Sequence, residues 1–282
     1  MAKAKIAICY DFDKTLSTMN MQEFDFMEMA GVNKDIFWEE CNIFAKKNQA
    51  DGILSMMKHM VDACNKNEIH NQKQYFFKLG QTVKLYDGVL TWFDRINNYA
   101  KKLGIEVKHY IVSSGIKDII AGTPIAKYFD KIYASSFVYD KSGKVLWPAL
   151  AINFKNKTQF LYRINKGTLD VYDETINDIM DQESRPVPFT NMIYIGDGVG
   201  DLPSMRLVKK SGGYTIGVYG SAYSRNYLTE LLQNDKINYV LKADYSYRSD
   251  MEKLVKNILE TIKLNSNLKN ISKIQKNKID KS

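Results

Sequence analysis

The opening of the chain constrains its fold more than any other stretch. Ala4 to Tyr10 is a short, largely apolar run, and it stops abruptly at Asp11-Phe12-Asp13-Lys14-Thr15. Such a run closed by polar residues suits a central strand of a parallel sheet, buried on both faces. In open α/β sheets the ligand sits beyond the carboxyl ends of the strands, so Asp11 and Asp13 are expected in a crevice there. Residues two apart on an extended chain point the same way, so both carboxylates can address one ligand. Like charges that close are costly unless a cation, a shared proton or a catalytic task holds them.

A chain of 282 residues is long enough for one large core, or for a core with an inserted module. Its three cysteines, Cys9, Cys41 and Cys64, are far apart and in apolar surroundings, which fits neither a disulfide framework nor a zinc spacing. No apolar run is long enough to span a membrane, and the amino terminus has no signal-peptide pattern, so a cytoplasmic location and no membrane partner are expected. The net charge of +8 is concentrated at one end: residues 263–282 alone carry +5. That stretch, rich in Asn, Lys and Ser, is expected to be a basic, flexible tail, either a frayed helix or a disordered end. Such a tail could touch nucleic acid or an anionic surface, but the rest is nearly balanced, so nucleic acid is not the expected partner.

Along the chain, helical spacing begins after Leu16 and persists to about residue 83. Phe24, Met27 and Met29 precede a stop at Gly31, and Asn33 has the look of an N-cap for the next helix. Residues 53–63 and 72–79 complete an insertion of about four short helices. Strands are expected at 105–112, 131–139, 144–147, 191–195, 214–218 and 238–241, with helices at 90–102, 158–164 and 251–262. A helix is also expected to open at Ile116 and another after Asp201, with Pro203 in the first turn of the latter.

Three strands therefore end in polar groups: Asp11 and Asp13, then Ser113 and Ser114, then Asp197 and Asp201. Side by side in one parallel sheet, they converge on one crevice. Several carboxylates together call for a hard divalent cation, and Mg²⁺ prefers a few carboxylates plus waters and phosphate oxygens. Ser113-Ser114-Gly115, with its hydroxyls and backbone N–H groups ahead of a helix, makes a phosphate cradle. Lys155, Lys157 and Lys166 are the candidates for a cation on the same phosphate. His59, His70 and His109 are scattered and read as surface or satisfied histidines.

The order DFDKTL, IVSSG, NKTQFLYRINKG and YIGDGVGD resembles the four motifs of the haloacid dehalogenase-like hydrolase superfamily, over residues 5 to about 262. The helical insertion and the 131–147 region resemble the phosphoserine phosphatase-like branch with its C1-type cap. The resemblance implies a doubly wound, mostly parallel Rossmann-like α/β core, residues 1–16 and 84–262, with a small all-helical cap at 17–83. It also implies a Mg²⁺-dependent phosphatase acting on a small-molecule phosphate ester through an aspartyl-phosphate. Asp11 then matches the nucleophile, Asp13 the general acid/base and Ser113 the phosphate-binding hydroxyl, with Ser114 as its alternative. Lys157 matches the phosphate-binding lysine, with Lys155 as runner-up. Asp197 and Asp201 match the metal site, joined by Asp11 and the backbone carbonyl of Asp13.

Asp13 separates phosphatase and phosphomutase chemistry from the dehalogenase and transport branches, which lack an acid there. A phosphomutase or phosphotransferase, or a non-catalytic phosphate-binding protein, is the alternative reading. Phosphoserine phosphatases carry an acid in the first cap turn to hold the substrate amine. Here that turn reads Met19-Asn20-Met21-Gln22, with Glu23 later, so phosphoserine is not the expected substrate. The insertion, tied to the core by two crossings, is expected to act as a lid over Asp11. The sequence names no oligomeric state.

Overall fold

The computed structural model describes residues 4–67, 69 and 71–279. His70, singled out above, and residues 280–282 of the basic tail lie outside the described residues. Seven strands form one sheet in the order β4-β3-β2-β1-β5-β6-β7. They are β1 (Lys5–Tyr10), β2 (Glu106–Ile116), β3 (Phe129–Tyr139), β4 (Val145–Leu150), β5 (Met192–Gly196), β6 (Tyr214–Tyr219) and β7 (Tyr239–Lys242). Every pairing is parallel except β3 with β4, a hairpin whose turn is tied by Asp140 Oδ1 accepting from the backbone N–H groups of Ser142 and Lys144.

The first strand is central, as its composition demands. Ile6, Ile8 and Tyr10 face one apolar core, while Ala7 and Cys9 face the other, and all five are fully buried. Burial of such large side chains contributes about 1.5–3 kcal/mol each, so this strand has no stable place at an edge. On the Ile8 side pack α5 (Val89–Leu103) and α10 (Asp250–Ile279). On the Cys9 side pack α7 (Lys157–Lys166), α8 (Leu202–Lys210) and α9 (Ala222–Gln233). Helices therefore cover both faces. No helix among the described residues is long and apolar enough to cross a membrane.

Between β1 and β2 lie α1 (Asp25–Met29), α2 (Lys34–Asn48), α3 (Gly52–Lys66) and α4 (Lys73–Leu79), which form an inserted helical cap. Asn33 does cap α2, its Oδ1 accepting from the N–H groups of Asp35 and Ile36. The cap does not own a separate core: Met57, Met60 and Phe76 belong to the same apolar cluster as Ile8 and Tyr10. Its last helix sits on α6 (Lys117–Ala121) at two glycines. A Cβ on Gly122 would lie 1.8 Å from the Phe77 carbonyl oxygen, and one on Gly80 would lie 2.1 Å from that of Ile119. Asn71 and Lys73 also pair with the β3–β4 hairpin, through Val145 N–H to Asn71 O and Lys73 N–H to Gly143 O.

Three elements differ from the sequence reading. The second strand runs on through Ser113–Ile116, because after a break in register Ile116 pairs with Ser135. The segment read only as a gap between two strands holds α9, started by a capping box of Ser221 and Ser224. The final helix does not stop at Ile262: 263–279, expected as a flexible tail that is either frayed helix or disordered, continues α10 as exposed helix. No glycine or proline interrupts residues 250–279, so nothing in the chain ends the helix where its apolar contacts end.

Candidate active site

Register brings the polar strand ends together. Tyr10 lies between Ile111 of β2 and Ile195 of β5, so Asp11, Ser113 and Asp197, on or just past three adjacent strands, lie at nearly one level. Asp11 stays in line, its N–H donating to Ile195 O at 2.9 Å. The loop after it winds around one carbonyl: Phe12 O accepts from the N–H groups of Thr15, Leu16 and Ser17.

Side-chain alternation directs Asp11 to the Cys9 face, where α7 and α8 begin. Lys157, the first residue of α7, extends its ammonium to Asp11 Oδ1 at 3.0 Å and Asp201 Oδ1 at 2.7 Å. Only 2% of the Lys157 side chain is exposed, and none of Asp201, so water screens neither contact. Burial alone would lower the Lys157 ammonium, but Asp11 and Asp201 overcome it and hold it above the ordinary lysine range. Lys155 is exposed, with its ammonium over the neighbouring Phe154 ring. Lys166 reaches the carbonyls of Ile176 and Asp178 instead.

Asp201 occupies the N-cap position of α8 but does not cap it. Its Oδ1 accepts from both Lys157 and Tyr194, the tyrosine hydroxyl at 2.7 Å. Its Oδ2 is buried without a partner and lies over Gly196, where a Cβ would come within 2.2 Å. Asp11, Asp197 and Asp201 each present an oxygen within 4.8 Å of the others. One lysine cannot balance three such carboxylates, and an orphaned buried carboxylate oxygen is expensive. The residues fit a hard divalent cation held by oxygen ligands.

Asp13 takes another direction. Its Oδ1 accepts the Met21 N–H at 2.8 Å, and a Cβ on Gly115 would lie 3.1 Å from its Oδ2. Asp13 thus joins the start of the cap to the Ser113–Gly115 turn. Ser113 is fully buried, with its Oγ accepting the Gly115 N–H at 3.1 Å, while Ser114 is partly exposed. Met21 was read in the sequence only as part of the first cap turn. Its sulfur accepts the Ile116 N–H and its methyl lies against Gly115, so the cap closes directly on the cradle. Tyr194 escaped notice; a polar-tipped ring three residues before Asp197, on a fully apolar strand, was the available signal.

His59 and His109 stand apart from this site. His109 is buried between the Tyr10 hydroxyl and Asn97, and burial lowers it to about 3, so it is neutral. His59 bonds the Ser55 carbonyl. Glu23, the acid nearest the first cap turn, is taken up by Asn20, Trp38 and Lys34.

The fold raises the carboxyls of Asp11, Asp13 and Asp197. Burial first, then the charges of Asp201 and Asp11, raise Asp197 to about 8, against Lys157 and Lys14. Asp11 is raised by burial and by Asp201, and Asp13 by burial and by Asp11. A carboxyl raised in the folded state keeps its proton where the unfolded chain has lost it, so stability falls as pH rises through that window. Melting temperature in chelator is therefore expected to fall from about pH 4 to about pH 8. Added Mg²⁺ should flatten that slope by replacing the protons. A melting profile indifferent to both would mean that the three carboxylates do not share one site.

Comparison with solved structures yields the same architecture. A HAD family hydrolase from Salmonella enterica subsp. enterica serovar Typhi covers 86% of this chain and 71% of its own, at 17% identity and a TM-score of 0.55. A phosphoserine phosphatase, solved as a phospho-aspartyl intermediate analogue, covers 90% of this chain and 99% of its own, at 15% identity and a TM-score of 0.54. The fold is that of the phosphoserine phosphatases. A probable phosphoserine phosphatase from Vibrio cholerae covers 94% of this chain and 67% of its own, at 14% identity and a TM-score of 0.57. By sequence, an uncharacterized protein of Borreliella burgdorferi is 29% identical over 255 residues, 82% of this chain and 85% of that protein. No protein-family profile matches the chain.

Proposed function

We propose that the protein is a Mg²⁺-dependent phosphatase that hydrolyses a small phosphorylated metabolite through an aspartyl-phosphate. The observation that carries this reading is the buried Lys157 held between Asp11 and Asp201, inside a carboxylate triad at the strand ends. Asp11 attacks phosphorus, its oxygen forming the new P–O bond as the ester P–O bond breaks. Asp13 gives its proton to the leaving oxygen, and burial beside Asp11 raises its pKa, which favours the protonated form that this role needs. Water then attacks the acyl phosphate and returns a proton to Asp13, releasing inorganic phosphate and free Asp11. Lys157 offsets charge on the phosphoryl oxygens, and Ser113, Ser114 and Gly115 hold the phosphate. Asp11, Asp197, Asp201 and the Asp13 carbonyl would hold Mg²⁺, which would supply further charge neutralisation.

The fold neighbour captured as a phospho-aspartyl analogue supports this course of reaction. Its substrate does not transfer, because Glu23 is spent inside the cap and leaves no free acid in that turn for an amine. Three buried free cysteines fit a reducing, cytoplasmic setting. The test is phosphate release from an aryl phosphate and from a panel of phosphorylated metabolites including phosphoserine. Turnover should require Mg²⁺ and should not favour phosphoserine. Full activity in chelator would sink the reading.

A further inference from the structure

The last helix outruns the sheet it packs on. Val255, Ile258 and Ile262 are buried, and the same three-four spacing continues through Ser266, Lys269, Lys273 and Lys276. One stripe of α10 thus turns from apolar to basic where the body ends beneath it. The basic part forms one wall of a groove of about 1040 Å³, and Arg185 and Lys210 are on the other side. Lys210 ends α8 and the groove floor leads into the start of β5, so this is the end of the sheet opposite Asp11.

Five cations line the groove and no carboxylate does, among the described residues. Among the described residues, none of the five is in an ion pair there either. Arg185 gives one terminal nitrogen to Asn165 Oδ1 at 2.9 Å, while its buried Nε has no partner. Like charges gathered on both walls of a recess repel, and an anion between them reverses the sign. The tail alone is an ordinary solvated end; the fold sets it opposite two further cations that the sequence gave no reason to connect with it.

We propose that this groove binds a single strand of nucleic acid by its phosphates. A concave recess with cations on two walls suits a flexible chain; a flat membrane surface reaches only its rims. Tyr162, 40% exposed in the groove, offers a ring for base stacking, and neighbouring Asn, Gln and Ser side chains offer donors to phosphate and sugar. The proposal does not rest on the phosphatase reading, since the two sites are at opposite ends of the sheet.

The test is fluorescence anisotropy with a labelled ten-residue oligouridylate and the full chain. Binding is expected at about 50 mM salt, with affinity falling on a log–log slope of about −3 if most of the five cations engage phosphates. Lys269→Glu with Lys273→Glu should weaken it tenfold or more. Lys210→Glu on the facing wall should weaken it severalfold, and so should Tyr162→Ala. Phosphate release and melting temperature should stay at the parent values in the lysine variants. No binding by the parent protein would overturn the proposal. So would an unchanged affinity in Lys210→Glu, which would leave the tail acting alone. Displacement by polyglutamate as readily as by unlabelled RNA would assign the groove to acidic polypeptides instead.

Discussion

Asp11→Asn is expected to lower phosphate release by roughly 10⁴-fold or more, while the folded protein becomes more stable in chelator. The amide matches the carboxylate in shape and still offers Lys157 an acceptor oxygen, but it has no anionic oxygen to attack phosphorus. Stability should move the other way because Asp11 is held above its ordinary pKa by burial and by Asp201. Removing a charge that the fold disfavours should contribute about 1–3 kcal/mol near neutral pH. Single-turnover phosphate release and urea unfolding, measured on one preparation, check both halves. A variant that lost stability together with activity would mark Asp11 as structural cement.

Lys157→Met should do the reverse to stability. Methionine keeps the length of the side chain and removes its charge. The parent lysine is buried against Asp11 and Asp201, and removing one side of such a pair strands the other in a dry site. The expected loss is about 3–5 kcal/mol in chelator, with a fall in turnover of about 10²–10³-fold. Mg²⁺ should recover part of the stability, since a cation can answer the stranded carboxylates, but not the turnover. The control is Lys155→Met, which removes an exposed charge and should change neither by much. If Lys155→Met were the inactive variant and Lys157→Met were normal, the roles assigned to the two lysines would have to be exchanged.

Much of the sheet was legible because its inner strands are short apolar runs with abrupt polar stops. Tyr10, Val112 and Ile195 each precede such a stop, and register then places Asp11, Ser113 and Asp197 side by side. Choosing between Lys155 and Lys157 was harder, since both are close to the start of α7. What separates them in space is the helix start: Lys157 is its first residue and turns inward, while Lys155 stays on the outer loop. Tyr194 was hidden for the opposite reason. A tyrosine on a central strand reads as core, and only the fold shows its hydroxyl on Asp201. The sequence left 263–279 open between a frayed helix and a disordered end, because its polar, Lys-rich composition reads as a loose end, although no residue in it forbids a helix.

The contact between Gly80 and Gly122 has a practical consequence for anyone building chimeras from this scaffold. Because α4 is seated on α6 and stitched to the β3–β4 hairpin, the inserted region is not one exchangeable cassette. Its last helix is a foundation course of the sheet domain, and the detachable storey is α1 to α3. A graft that swapped residues 17–83 as a block would seat a foreign backbone on Gly122, where there is no room even for a methyl group. Cutting instead before Asn20 and after Asn67 would leave that seat, and the paired neck in which Ser17 bridges Leu85, in the hands of the native chain.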